Sequence, residues 1–427
     1  EFTNSLSLNK MAKNSDEDIS LFASTTSKLL SEIGINMNFA PTVDIYTNLQ
    51  SSVIGPRSFG ASPEFVGELG AAFTAGSIDA GVIPTAKHFP GHGDTSLDSH
   101  GKLPQIYIDY ETLNSRELVP FKYLIAEKIP AIMSGHLGFP KIISNGEPAS
   151  LSKVFLTDIL RNRLGYEGLI ITDDMMMNGA TMYAGSLSKA FRLAIEAGND
   201  IIISSTTAKL QESLWTSNLS LMSSNTSFKQ TVQKAARRVI LSKLKYFRSD
   251  NAAPLYPDLN KIKDSIPDRD GQKFFLSQAC RSITVYKKGN FPLIQKENER
   301  ILLAGQNQFP EFFAEGKKRY KNCGEFKYDF EMGPNQADWM SNNIELVIRN
   351  FDTIIICVAN ERSAKIANRL KNSGKKVIIV SVLAPIPVLN FEWADTILLG
   401  YSYSPYTFKA LFGALNGEYE AEGVLPL

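Results

Sequence analysis

The first half of the chain alternates short apolar runs with segments whose apolar residues recur at helical spacing. Residues 16–33 have the helical pattern, and Gly34 follows as a helix C-cap. Runs typical of strands occupy 37–45, 82–87, 131–134, 168–173 and 200–204, and further helical segments occupy 110–127, 151–164 and 186–197. Strands and helices in this order predict a parallel α/β architecture.

Polar residues collect where these predicted strands end: Asp44, Lys87, His88, His136 and Asp173. An α/β barrel builds its active site on the loops beyond the carboxyl ends of its strands. We therefore predict a TIM-like (β/α) barrel with these side chains at its mouth. Because five strands are visible and a closed barrel has eight, we expect early barrel strands to be missing at the N-terminus.

A second domain is predicted after a polar, proline-containing stretch at 250–260. The barrel would then occupy 1–249, a linker 250–268, and the second domain 269–427. Strand-like runs at 282–287, 300–304, 353–358, 376–382 and 396–400 alternate there with helical segments near 342–351 and 362–373. This pattern predicts an αβα sandwich. The strand-to-helix turn after residue 352 lacks GxGxxG, which argues against a dinucleotide site.

The overall charge is balanced, with 45 Lys and Arg against 44 Asp and Glu. The chain has no basic stripe that would indicate nucleic acid as a partner, and a neutral polar ligand fits this balance better. The longest apolar stretch, 377–389, is broken by Pro385 and Pro387, so the sequence predicts no membrane span. The three cysteines form neither a disulfide framework nor a CxxC metal pair.

The histidines are concentrated in one region. The chain has four, and three of them lie in the glycine-rich segment 87–100, KHFPGHGDTSLDSH. Three interpretations stay open: a metal site formed by His88, His92 and His100, a rigid loop in which the histidines only make hydrogen bonds, or a proton-transfer pair of Asp98 and His100. In such a pair the carboxylate fixes one ring nitrogen, and the other exchanges a proton with substrate.

Asp173 is the last residue of the apolar run 168–173, and Asp174 is the first residue of the loop that follows. Successive side chains of a strand point to opposite faces, so Asp173 and Asp174 cannot both face the barrel mouth. Acidic residues at the end of a buried strand are costly unless they have partners. We assign Asp173 as the inward carboxylate and Asp174 as a cap of the following helix.

These motifs together resemble the β-N-acetylglucosaminidase branch of glycoside hydrolase family 3, in its two-domain form. The segment 87–100 resembles the signature of that branch. The runs NFAPTVD (38–44), IGPRSFG (54–60), MSGH (133–136) and ITDDMM (171–176) follow in the order and spacing of the family. The similarity is strong over about residues 10–250 and looser in the second domain.

The resemblance implies a retaining exo-β-N-acetylglucosaminidase that needs no metal or organic cofactor. Asp173 would be the nucleophile, and His100, oriented by Asp98, would be the acid and base. The terminal sugar would be bound by Asp44, Arg57, Lys87 and His88. His136, from its place at the end of a predicted strand, would either contact the sugar or support the loop. The expected substrate is terminal GlcNAc on peptidoglycan fragments. The expected location is the bacterial cell envelope or periplasm, with the cytoplasm as the alternative.

Two rival functions stay open at this point. One is a metal-dependent hydrolase that uses His88, His92 and His100 as ligands, and the other is a non-catalytic sugar-binding relative. In the β-glucosidase branch of the family the acid is a Glu on the second domain, and the Asp98–His100 motif argues against that arrangement. Because a neutral imidazole repels an anion less than a carboxylate does, we also hypothesise that phosphate can replace water as the acceptor.

Overall fold

The computed structural model describes residues 15–48, 54–95, 103–206, 209 and 212–425. They form two compact units. The first consists of the described residues between 15 and 268 apart from Gly55–Arg57, and the second consists of those from 269 onward together with Gly55–Arg57.

The first unit is built on a parallel sheet whose strand order equals the chain order, β1 to β5. The bounds are β1 Met37–Asn38, β2 Ile83–Phe89, β3 Ala131–Ser134, β4 Leu169–Asp174 and β5 Ile201–Ile203. All of β3 and the first four residues of β4 are buried, as in parallel sheets covered by helices. The predicted TIM-like α/β class is confirmed.

The segment that leads to Asp44 differs from its prediction as a single strand over 37–45. Regular pairing ends at Asn38, and further along only an isolated parallel bridge joins Thr42 to Lys87 among the described residues. Pro41 has no N–H group and interrupts the ladder. The backbone nevertheless follows β2, since the Val43 amide donates to the Lys87 carbonyl at 2.8 Å. Asp44 is therefore delivered beside the end of β2.

Helices connect and cover these strands. They are α1 Ser15–Glu32, α2 Pro63–Asp79, α3 Tyr110–Thr112, α4 Val119–Ala126, α5 Asn178–Ala184, α6 Leu187–Ala197, α7 Ser213–Ser224, α8 Thr226–Phe247 and α9 Leu259–Ser265. The helix α6 shows how the sequence fixes such an element. Ser186 caps its first turn, Gly198 ends it at a positive φ of 120°, and Ala190, Ala194 and Ala197 form its buried face.

The predicted helix over 110–127 is divided by a wider π-helical turn, Leu113–Glu117. The amide of Leu118 donates to the carbonyl of Leu113, five residues earlier, at 2.9 Å. Pro120, near the start of α4, cannot donate to the preceding turn, and its ring disfavours regular α geometry there. A second π-helical segment, Val154–Arg163, stands where the sequence predicted a helix over 151–164.

The second unit has a six-stranded sheet in the order β6-β11-β10-β9-β7-β8, with β6 antiparallel to β11. The strands are β6 Thr284–Lys287, β7 Ile301–Gln306, β8 Cys323–Tyr328, β9 Thr353–Val358, β10 Lys376–Ser381 and β11 Thr396–Leu399. The helices are α10 Arg269–Ser282, α11 Pro310–Arg319, α12 Pro334–Val347, α13 Glu361–Asn368 and α14 Pro405–Leu415. Two apolar clusters form its core, as the sandwich prediction requires.

In the part of the chain that the structure describes, we find no helix with the length and apolar character of a membrane span.

Candidate active site

A fully buried carboxylate, Asp44, connects the end of the β1 segment to the loop after β2. Its Oδ1 atom accepts the backbone amide of His88 at 3.0 Å and that of His92 at 2.7 Å. Its Oδ2 atom lies 2.7 Å from Nδ1 of the His88 ring. One carboxylate thus fixes the His88 backbone and ring at the end of β2 and the His92 backbone in the loop that follows.

The charge of Asp44 determines which ring nitrogen of His88 carries a proton. Burial raises the pKa of Asp44, but His88 and His92 lower it by more, so that the pKa falls from 3.8 to about 2. Near neutral pH the group is therefore ionised and can only accept hydrogen bonds. It follows that His88 Nδ1 carries a proton in the bond to Asp44.

The other nitrogen of the His88 ring is directed at Asp173, the last residue but one of β4. His88 Nε2 lies 4.0 Å from Asp173 Oδ2. The Oδ1 atom of Asp173 accepts the Asp174 amide at 2.8 Å. The side chain of Asp173 is 22% exposed and that of His88 is 7% exposed. A partly exposed carboxyl group and a fixed imidazole thus share one small region at the ends of β2 and β4.

Asp174 has a structural role that differs from the predicted helix cap. Its Oδ1 atom accepts the amides of Met176 and Ser205, both at 3.0 Å, whereas the N-cap position of α5 is Met177. Burial raises the pKa of Asp174, but hydrogen bonds from Met176 and Ser205 and the nearby His136 together lower it by more, so the charged carboxylate is stabilised. Asp174 therefore ties the end of β4 to the loop after β5.

His136 supports the end of β4 from the loop after β3. Its Nε2 lies 3.1 Å from the carbonyl oxygen of Asp174, and its Nδ1 lies 2.7 Å from Ser150 Oγ. Because a carbonyl can only accept, Nε2 carries the proton and Nδ1 accepts from the Ser150 hydroxyl. Burial lowers the pKa of His136 although Asp173 and Asp174 raise it, so the neutral ring is favoured. Both nitrogens are engaged by protein, and the predicted substrate contact of His136 stays a prediction.

His92 belongs to the scaffold of the loop. Its Nδ1 lies 2.7 Å from Thr95 Oγ1, which in turn donates to the His92 carbonyl at 2.8 Å. Its ring meets the His88 ring edge-on, with centroids 5.5 Å apart. Within the described ranges, no group of three or more His, Cys, Asp or Glu side chains is arranged to hold a metal ion. The metal alternative also invokes His100, which lies outside those ranges.

The structure places the other predicted site residues as follows. Asp98 and His100 both lie outside the described residues, so the structure gives no position for the predicted pair. Lys87 is half-buried in β2, directly before His88. Arg57 ends the short 3₁₀ turn Gly55–Arg57, and its side chain is exposed.

One buried acid near this site was missed from the sequence. Glu117 is 1% exposed, and its Oε1 accepts from Arg116 Nε at 2.7 Å. Arg116 also donates to Asp94 at 2.9 Å. The signal was available, because Glu117 stands four residues after Leu113 and four before Phe121, both of which are buried. A Glu within such an apolar helical stripe is expected to be buried.

Comparison with known proteins identifies the family. The model described as "Glycosyl hydrolase family 3 N terminal domain" matches residues 2–241. A curated relative named beta-hexosaminidase A, from Pseudoalteromonas piscicida, is 39% identical over 192 residues, which is 42% of this chain and 32% of the relative. The chain thus spans about a third of the length of that relative.

Two solved structures extend the similarity over nearly the whole chain. A fungal multi-domain family 3 β-N-acetylglucosaminidase superposes with a TM-score of 0.86 at 27% identity, covering 99% of this chain and 50% of the fungal one. A family 3 β-N-acetylglucosaminidase from Paenibacillus superposes with a TM-score of 0.83 at 25% identity, covering 96% and 81%. Since the family model matches more than half of the residues, this chain belongs to glycoside hydrolase family 3.

Proposed function

We propose that the protein is a retaining exo-β-N-acetylglucosaminidase that removes terminal β-linked GlcNAc. The single observation that supports this proposal most is the arrangement of the Asp44, His88 and Asp173 side chains. A buried carboxylate holds an imidazole whose second nitrogen faces a partly exposed carboxyl group, 4.0 Å away. Family membership and the relatives named β-hexosaminidase or β-N-acetylglucosaminidase support the same activity.

In the first step, Asp173 Oδ2 attacks the anomeric carbon of the sugar. A bond forms between that oxygen and the carbon while the glycosidic bond breaks, and the leaving oxygen takes a proton from His100. In the second step, His100 takes a proton from water, the water oxygen bonds to the anomeric carbon, and the ester to Asp173 breaks. Two inversions give net retention. Asp98 would hold the His100 ring in the required tautomer.

His88 is the residue whose position fits contact with the bound sugar. Its Nε2 faces the space beside Asp173, so it can hydrogen-bond a hydroxyl of a sugar placed over the nucleophile. Asp44 has no exposed surface, and its oxygens bind His88 and His92. We therefore assign Asp44 to positioning His88, which differs from the direct sugar contact implied by the family resemblance.

Lys87, Arg57 and His136 keep their proposed roles in sugar binding, with His136 also supporting β4. The substrate that we propose is a peptidoglycan fragment ending in GlcNAc, and the cell envelope or periplasm is the proposed location. The balance of 45 basic and 44 acidic residues suits a largely neutral sugar.

Hydrolysis of aryl β-GlcNAc, compared with aryl β-glucoside, tests the activity directly. We expect the N-acetylated substrate to be strongly preferred, chelator treatment to have no effect, and Asp173→Ala to abolish turnover. Asp158→Ala is a matched control because Asp158 is exposed in the same unit. Preference for the glucoside, or full activity in Asp173→Ala, would reject the proposal. Inactivation by the chelator would favour the metal-dependent alternative.

A further inference from the structure

The buried acid Glu117 lies near the site, and only one of its two carboxyl oxygens has a hydrogen-bond partner among the described residues. It ends the π-helical turn Leu113–Glu117 and is almost fully buried. Its Oε1 atom accepts from Arg116. Its Oε2 atom is also buried and has no hydrogen-bond partner among the described residues. A buried carboxyl oxygen without a partner is costly, so the packing around it must hold it in place.

The turn 89–95, which follows His88 and contains His92, packs on Glu117. A Cβ atom added to Gly91 would lie 2.7 Å from Glu117 Oε2, so the backbone at Gly91 is pressed against the carboxyl group. Two residues later, a Cβ on Gly93 would lie 1.6 Å from the carbonyl oxygen of Ile45. Glycine is required at both points. The turn 89–95 is thus packed between Glu117 and the residue that follows Asp44.

Arg116 adds a second connection to the same turn. It joins Glu117 Oε1 to the carboxylate of Asp94 through two hydrogen bonds, of 2.7 and 2.9 Å. The Asp44 carboxylate binds the amides of His88 and His92. Asp44 and the Arg116–Glu117 pair therefore hold the turn by separate contacts.

Electrostatics connects these groups as well. Burial raises the pKa of Glu117, Arg116 lowers it, and the charges of Asp44 and Asp94 raise it further, to a net value of about 7. The Glu117 carboxyl group therefore responds to the charge of Asp44, the acid that fixes His88.

We propose that Glu117 is a positioning residue of the active site: with Arg116 it holds the turn 89–95 against Asp44 and so fixes the His88 ring that faces Asp173. Loss of the Glu117 side chain would leave space next to Gly91. Of the two acids that Arg116 contacts, only Asp94 would remain. The turn could then relax away from Asp44, and the hydrogen bond to His88 Nδ1 would weaken. For its kinetic effect this inference rests on the proposed function.

The test combines a spectroscopic and a kinetic measurement on three variants. The His88 Nδ1 proton, bonded to a buried carboxylate, gives a downfield NMR resonance that Asp44→Asn identifies by removing it. We expect Glu117→Ala to weaken or shift this resonance and to lower kcat/KM for aryl β-GlcNAc at least about tenfold, since small misplacements of site residues are costly. Glu117→Gln, which keeps the shape and the bond to Arg116, should retain the resonance and most activity. Glu111→Gln, an exposed acid in the same helical region, should behave as wild type.

The outcomes separate the two proposals. A Glu117→Ala protein with an unchanged resonance and full activity overturns the positioning role. A wild-type protein that is inactive on aryl β-GlcNAc, but whose resonance still depends on Glu117, refutes the proposed function and leaves this inference standing. If Glu117→Ala does not fold, Arg116→Lys provides the same test, because Lys cannot bridge Asp94 and Glu117 with the Arg geometry. An unaltered resonance and unaltered kinetics in Arg116→Lys then overturn the inference.

Discussion

The Nε2 atom of His88 lies 4.0 Å from the Oδ2 atom of Asp173, so the ring faces this carboxyl group at a separation just beyond hydrogen-bond distance. The opposite nitrogen of the same ring is held by Asp44 at 2.7 Å. The orientation of His88 therefore depends on a residue that has no access to solvent. This relationship links a fully buried acid of the first unit to the Asp173 carboxyl group at the end of β4.

Replacement of His88 should weaken turnover without unfolding the protein. In the proposed account, His88 binds the sugar over Asp173, so His88→Ala should lower kcat/KM for aryl β-GlcNAc by about 100-fold. His92→Ala would also lose a contact within the loop, the hydrogen bond to Thr95. Tyr107→Ala, at an exposed position, is a neutral control. Steady-state kinetics measures turnover, and circular dichroism shows whether each variant is folded. Wild-type kcat/KM in His88→Ala would exclude the sugar contact.

Asp44 should make the protein sensitive to acid. Its pKa in the folded state is about 2, below the ordinary value of 3.8. Its contribution to the free energy of unfolding is therefore complete above pH 3.8 and is lost as the pH falls through about 2. One pKa unit corresponds to about 1.4 kcal/mol, so the loss is on the order of 2 kcal/mol. The free energy of unfolding, measured by urea titration from neutral to acidic pH, should show this loss in wild type and lack it in Asp44→Asn. Identical acid slopes in the two proteins would contradict this assignment.

Glu117 should have the opposite effect on stability. Its folded-state pKa of about 7 lies above the ordinary value of 4.5, so its contribution is complete below pH 4.5 and is lost as the pH rises through about 7. At about 1.4 kcal/mol per pKa unit, this loss is on the order of 3 kcal/mol. Glu117→Gln cannot ionise, so its stability relative to wild type should rise over that interval. If the difference in the free energy of unfolding between wild type and Glu117→Gln does not vary with pH, Glu117 has an ordinary pKa.

His136 should stabilise the end of β4. His136→Ala leaves the buried Ser150 hydroxyl without this partner, and an unsatisfied buried polar group costs about 1–3 kcal/mol. It also removes one of the two hydrogen bonds to the Asp174 carbonyl, which keeps the bond from the Met177 amide. Ser150→Ala removes one of the two contacts, so its effect on the free energy of unfolding should be smaller. We expect activity to fall in the same order, because Asp173 lies next to the residue that His136 holds. A larger effect from Ser150→Ala would contradict this ranking.

The sequence predicted the buried strands well because they are continuous apolar runs with clear ends. Ala131–Ser134 lies between Pro130 and Gly135, and its bounds are those predicted. The strand Thr353–Val358 is buried throughout and was also predicted at its observed bounds. By contrast, Cys323–Tyr328 was missed, because five of its six residues are at least partly exposed and its polar residues give no apolar run.

The candidate site was predictable as a set of residues but not as a set of contacts. Asp44, His88 and Asp173 were identified from their places after strands, and the structure brings His88 against both carboxylates. The sequence could not show that Asp44 is fully buried, since that depends on how the turn 89–95 packs. The contact between Glu117 and Gly91 joins residues distant in sequence, and neither periodicity nor spacing reports such a contact.

The central claim is that Asp173 forms a covalent bond to the sugar. The most direct measurement is mass spectrometry of the protein quenched in acid during turnover of an aryl β-GlcNAc substrate, followed by peptide mapping. We expect one N-acetylhexosamine on the peptide that contains residues 168–177, attached at Asp173, and no adduct in Asp173→Ala. An adduct on another residue, or an Asp173→Ala protein that turns over substrate at the wild-type rate, would contradict the account.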